Sequence, residues 1–234
     1  AAIAERLAAD PRLAPLVRAR PGLRVPGAWE PWELAARAVL GQQVSVKGAT
    51  TLAGRLAAAL GAPLPGADGW RLFPSPAAVA RADLSRLGVP RARATALRTL
   101  AAAVRDGAVD LAAPGGADAA RAALRALPGI GAWTAEYVAL RALGDPDAWP
   151  DGDLGLRRAV ARLAGGPAPT PRALRALAEA WRPWRAYAAL HLWTADSTLG
   201  TARSAPSRRS RAAGAREARG APRRNRARRK EKRR

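Results

Sequence analysis

At 234 residues, 49% of them hydrophobic, the chain is long enough for one large packed domain or two small ones. The absence of cysteine and the single histidine exclude disulfides, zinc-thiolate sites, cysteine-ligated iron–sulfur clusters and multi-histidine metal sites. With 40 basic and 18 acidic residues the formal charge is +22, of which residues 201 to 234 carry +13 and the rest +9. Such a field favours a polyanionic partner, whose counterions are released on binding; an anionic membrane surface is the rival. There is no run of about 18 apolar residues and no charged-then-apolar leader, so neither a membrane span nor secretion is expected, and the compartment reads as cytoplasmic. Methionine is absent even from position 1, which reads as a chain lacking its native N-terminus.

Helical patterns recur along the chain and strand patterns do not. Glu30-Pro31, Ser75-Pro76 and Thr170-Pro171 mark helix starts, because proline suits the first helical position and a preceding serine or threonine can cap. Turn-rich stretches at 61 to 69, 113 to 117 and 144 to 152 separate the helices. Between them Ala94, Leu97, Leu100, Ala101 and Val104 share one helical face, as do Leu156, Ala159, Val160 and Leu163. Alanine and leucine abound while β-branched residues are sparse, which predicts an all-α fold of about ten short helices. From Thr201 the apolar periodicity stops and an arginine-rich, disordered tail is expected over 201–234, either a nonspecific DNA-binding extension or a biased segment under weak constraint.

The strongest local signal runs from Leu124 to Ala135 and reads as helix, tight Pro-Gly-x-Gly turn, helix. Gly129 and Gly131 let the backbone pass close to a ligand, and the amides that open the second helix point toward an anion such as a DNA phosphate. A Gly-x-Gly turn also serves as an ordinary helix connection. The flanking Leu127-Pro128 and Thr134-Ala135 sharpen the match, and the turn resembles the helix-hairpin-helix motif of DNA-repair proteins.

Some twenty residues on, Asp153 stands immediately before an amphipathic helix. Aspartate is among the best N-caps, and the helix dipole favours negative charge there. An ionised carboxylate so held can also stabilise an oxocarbenium-like sugar or orient a water, as glycoside hydrolysis requires. Asp151, in the loop before the cap, is the competing candidate.

Together these features are similar to the helix-hairpin-helix DNA glycosylase superfamily, and within it to the 3-methyladenine DNA glycosylase II (AlkA-type) enzymes. The resemblance runs from about Leu13 to Trp193 in five ordered blocks: 20–27, 38–46, the hairpin, 150–158 and 181–193. It implies that Asp153 is the catalytic aspartate, and that Trp133, Tyr137 and Trp193 form an aromatic pocket for an electron-poor alkylated purine. It further implies that Gln42 and Gln43 lie on the loop that fills the gap left by a flipped base, with the wedge at Gln43. Trp133 occupies the position of the Schiff-base lysine of strand-cleaving relatives. Only Lys47, Lys230 and Lys232 exist in the chain, so no lyase activity is expected. The backbone carbonyls of Arg125, Leu127 and Ile130 match those that hold Na+ or K+ in the family's hairpin; no cofactor is otherwise required. His191 is expected to make only a local hydrogen bond.

The expected architecture is therefore two helical lobes, 31–145 and 1–30 with 146–200, with the site in the cleft between them. Bacterial members often carry a further N-terminal α/β domain, and this chain begins near its connector to the helical part. The resulting expectation is a monomeric, bacterial, nucleoid-associated enzyme that releases 3-methyladenine and 7-methylguanine from double-stranded DNA and leaves an abasic site. The rivals are a noncatalytic hairpin module that only binds DNA, a basic RNA-binding protein that relies on the tail, and a strand-cleaving glycosylase.

Overall fold

The computed structural model describes residues 2–112 and 116–204, with side chains to Asp196. Among the described residues there are eleven α-helices and no strand. In chain order they are α1 (Ala2–Ala8), α2 (Ala14–Ala19), α3 (Pro31–Leu40), α4 (Val46–Leu60), α5 (Pro76–Arg81) and α6 (Arg91–Arg105). They continue with α7 (Ala117–Ala126), α8 (Ala132–Arg141), α9 (Leu154–Ala164), α10 (Pro171–Ala178) and α11 (Arg185–Ser204). None is long and apolar enough to cross a membrane.

The helix starts read from sequence are where the caps form. Glu30 accepts from the Glu33 amide at 2.6 Å, Ser75 from Ala78 at 3.3 Å and Thr170 from Ala173 at 3.2 Å, each one residue before a proline at the first helical position. Each such bond satisfies an amide that the helix itself leaves unpaired, a contribution of about 1 kcal/mol. The stretch at 61–69 is a connection, closed by one antiparallel bridge between Pro63 and Arg71. Part of the turn at 113–117 lies outside the described residues.

The apolar side chains gather into two clusters. The first is built on Trp32, Val39, Leu40, Leu56, Leu97, Leu100, Leu124 and Val138, with Leu97 and Leu100 fully buried as the periodicity of α6 requires. The second is built on Leu7, Leu13, Trp149, Leu156, Leu174, Trp181 and Leu192. α8 supplies both, Ala135 and Val138 to the first and Ala139 and Leu140 to the second. Truncating any of these fully buried leucines to alanine would cost about 2–5 kcal/mol.

The N-terminal helices are anchored by a polar contact. Asp10, almost wholly buried, accepts from the Trp181 indole at 2.8 Å and from the Arg12 side chain. The Arg12 bond, aided by the one from Trp181, holds the Asp10 carboxyl far below the usual carboxylate range against the opposing effect of burial. His191, also buried, pairs with the Leu16 backbone and not with its own helix, so the expected local bond is replaced by one that spans the chain. Burial and the nearby Arg20 charge push its pKa down. At its C-terminal end α11 continues through residues 201–204, where disorder is expected from Thr201 on, because alanine and arginine sustain a helix after the apolar periodicity has ended. The expected disorder of the tail otherwise concerns residues 205–234, which lie outside the described residues.

Candidate functional site

The turn between α7 and α8 follows from three residues. Pro128 has no amide hydrogen, so the Arg125 carbonyl three residues back cannot receive a turn bond from it. Gly129 adopts φ +82°, and a Cβ there would lie 2.6 Å from the Ala96 Cβ of α6; only glycine satisfies both conditions. Gly131 caps α8 with open space in front of it, where a Cβ would meet nothing within 4 Å. Ile130, the apolar residue between the glycines, is buried and its amide donates to the Leu127 carbonyl at 3.1 Å. The turn thus anchors on Ile130 and leaves its glycine backbone exposed.

The segment from Gly144 to Asp153 is held at several points. Asp145 pairs with Arg121 of α7, and Asp147 with Arg185 at 2.8 Å and with Arg182. Trp149 is buried edge-on to Trp181 with ring centroids 5.4 Å apart, and its amide donates to Glu136 of α8 at 3.1 Å. Such pinning fixes where α9 begins. Asp153 is its N-cap: Oδ1 accepts from the Leu156 amide at 2.9 Å.

Both tryptophans of the expected pocket also donate to this carboxylate. Trp133 Nε1 reaches Oδ2 at 2.9 Å, and Trp193 Nε1 reaches Oδ1 at 2.9 Å. Asp153 is therefore received by three N–H groups from α8, α9 and α11, residues 20 and 40 positions away closing on one side chain. Charge-assisted bonds of this kind are roughly twice as strong as neutral ones and fix the orientation of both oxygens. Tyr137 stacks on Trp133 at 5.3 Å, its edge relation to Trp193 is 6.2 Å, and the Arg141 guanidinium lies 5.9 Å from its ring centroid. The four residues Trp133, Tyr137, Asp153 and Trp193 form one contiguous group, all half-buried.

Asp151 is separated from this group by its partner. Its carboxylate takes Arg175 of α10 at 2.6 Å, which ties the loop to the body. Of the two carboxylates in the motif, one meets the aromatic cluster and the other an arginine.

The loop between α3 and α4 divides its two glutamines. Gln42 points inward and its Nε2 donates to the Gly129 carbonyl at 3.0 Å and to Thr134 Oγ1 at 3.1 Å. Gln43 is exposed with φ +55°, the one non-glycine residue at positive φ among the described residues. Gln42 thus bonds to the hairpin, and Gln43 presents an unoccupied side chain beside exposed Val44 and Val46.

Sequence reading missed several contributors. Gly155 has no room for a side chain: a Cβ would lie 3.0 Å from Asp153 Oδ1 and 3.2 Å from Trp193 Cδ1. Its place two residues after the aspartate was the available signal. Arg93 and Arg175 left no sequence signal, because their partners Gln42 and Asp151 are 51 and 24 residues away.

Residues 36–183 match the HhH-GPD superfamily of base excision DNA repair proteins, and residues 1–30 match the AlkA N-terminal domain. Residues 1–30, expected as part of a helical lobe that starts near the connector to an N-terminal α/β domain, thus match the family model of that N-terminal domain. The chain is 49% identical over 195 residues to a Mycobacterium tuberculosis protein named "Probable bifunctional transcriptional activator/DNA repair enzyme AlkA", covering 82% of this chain and 39% of that one. It is 41% identical over 178 residues to DNA-3-methyladenine glycosylase 2 of Escherichia coli, covering 75% of this chain and 61% of that one. The chain therefore spans less than two thirds of either relative. Among solved structures, Schizosaccharomyces pombe 3-methyladenine DNA glycosylase in complex with abasic DNA superposes with a TM-score of 0.68 at 25% identity, over 82% of this chain and 95% of that one. The 3-methyladenine DNA glycosylase of Archaeoglobus fulgidus gives 0.70 at 26% identity, over 85% and 70%.

Proposed function

The chain belongs to the HhH-GPD superfamily of base excision DNA repair proteins, and from that premise we propose that it is a monofunctional DNA glycosylase that removes alkylated purines from double-stranded DNA. The observation that carries the reading is the reception of Asp153 by Trp133, Trp193 and the first turn of α9. A carboxylate fixed in this way serves a sugar that develops positive charge, and the adjoining rings suit a flat, electron-poor base. Water adds its oxygen to the anomeric carbon and yields its proton to solvent. The electron pair of the broken bond leaves with the base, and an abasic site remains. A cationic purine needs little acid assistance to leave, in keeping with a group that contains one carboxylate.

The Gly129–Gly131 turn, open at Gly131, serves the phosphate backbone, and Gln43 serves the gap in the base stack. The carbonyls of Arg125, Leu127 and Ile130 are hard oxygen donors at the end of α7, where Pro128 withholds one turn bond; they would hold a sodium or potassium ion, which would supply positive charge for an anionic backbone. Trp133 in place of an amine nucleophile favours hydrolysis without strand cleavage. The two-lobe division at residue 145 belongs to the same reading and is supported by the two apolar clusters, with α8 common to both. The enzyme acts as a monomer on the bacterial nucleoid.

Incubation with methylated DNA should release free 3-methyladenine and 7-methylguanine, with no strand scission before alkaline treatment. Asp153→Asn should lower release by about 100-fold or more, and Asp151→Asn by far less. Base release by Asp153→Asn at the parent rate would refute the mechanism. DNA binding without any release would favour the noncatalytic module.

A further inference from the structure

We infer that Gln42 and Arg93 are positioning residues that latch the Gln43 loop to the hairpin, so that the wedge and the phosphate grip form a single rigid unit; this inference rests on the functional reading above. Gln42 and Gln43 are neighbours with opposite environments. The Gln42 carboxamide spans from the Gly129 carbonyl to Thr134 Oγ1, one partner in the hairpin turn and the other on the first turn of α8. The Gln42 backbone carbonyl is in turn gripped by Arg93 of α6. Three residues on, Ala96 of the same α6 face packs under Gly129 so closely that no Cβ is admitted. One face of α6 thus abuts both the loop and the turn.

Two details identify this as positioning and not incidental packing. Arg93 Nη1 is buried with no hydrogen-bond partner while Nη2 spends its bond on the Gln42 carbonyl, so part of the guanidinium forgoes solvation to hold the loop, a poor arrangement for stability alone. The residue after Gln42 is held at φ +55°, a conformation that a non-glycine residue keeps only where its surroundings over-determine it. Gln42 and Arg93 fix the residue immediately before it. The exposed Gln43 side chain then has a set distance from the hairpin, where an untethered loop would let it retreat from a base stack.

The test uses a duplex carrying 2-aminopurine beside an abasic-site analogue, whose fluorescence reports unstacking at saturating protein without any chemistry, together with single-turnover base release from duplex and from single-stranded alkylated DNA. Gln42→Ala should cut the fluorescence gain at least threefold and slow duplex release about tenfold, since small misplacements of a positioned group have effects of this size. Release from single strands, where no stack needs to be held open, should fall by a clearly smaller factor than release from duplex. Thr134→Val, which keeps the shape of α8 and removes only the acceptor, should move the same readouts in the same direction by a smaller factor. In a Gln43→Ala background the further change Gln42→Ala should add nothing. Parent-like fluorescence from Gln42→Ala, or equal slowing on single and double strands, would overturn the latch. Should the parent release no base at all while its fluorescence gain still depends on Gln42, the latch stands and the glycosylase reading falls.

Discussion

The two apolar clusters carry different kinds of functional feature. Around the first, the hairpin and the glutamine loop present main chain: exposed glycines, a positive-φ residue and backbone carbonyls, set in place by small residues such as Ala96. Around the second, side chains dominate, with Asp153, Asp151, Asp147 and Asp10 each held by one or two indole or guanidinium donors. A backbone-built region depends on shape and tolerates almost no added atoms. A side-chain-built region depends on matched donors and acceptors, and is sensitive to single atoms whose removal leaves the shape unchanged.

That contrast can be broken from either side. The largest effect expected is from Gly129→Ala, where one methyl group meets both an unfavourable φ and the Ala96 Cβ; stability should drop by about 2–5 kcal/mol, read as the midpoint of denaturant unfolding. A loss under about 0.5 kcal/mol would mean that the turn repacks easily and is not set by shape. Next, Trp133→Phe with Trp193→Phe keeps an aromatic ring at each position while removing both indole donors to Asp153. Single-turnover release should decrease about 10- to 100-fold, with unfolding little changed. An unchanged rate would show that the rings matter only for stacking.

The smallest effect concerns Asp10. Its folded carboxyl titrates well below an unfolded aspartate, so its contribution is fully present above the unfolded value near about 3.9 and is lost as pH falls toward the folded one. Asp10→Asn should therefore cost about 1 kcal/mol at pH 7, and the penalty should shrink below pH ~4. A penalty independent of pH would assign the role of Asp10 to packing instead of charge.

The same contrast explains what the sequence made legible. A turn that requires Gly129 on two counts has to write that requirement into the chain, and Pro128, Gly129 and Gly131 were readable for this reason. The caps at Ser75, Thr170 and Asp153 were readable because their partners lie three residues away. Asp151 and Asp153 are chemically identical and two residues apart, and only the cap position favoured one. Their decisive partners, Arg175 and the two indoles, are 20 to 40 residues distant. Gln42 was grouped with Gln43 because nothing local distinguishes them, whereas their separation in role arises from contacts 87 and 92 residues along. His191 shows the same limit, its partner Leu16 belonging to the other end of the chain.

α8 begins at the exposed turn, carries Trp133 and Tyr137 along its length and ends with Ala139 and Leu140 in the second cluster. Ten residues of helix amount to a rod of about 15 Å whose pitch is set by covalent geometry and backbone hydrogen bonds. The spacing between the exposed turn and the Trp133 indole that meets Asp153 is thus written into one secondary-structure element. A helix of fixed rise holds that distance as a ruler does, whatever side chains pack around it.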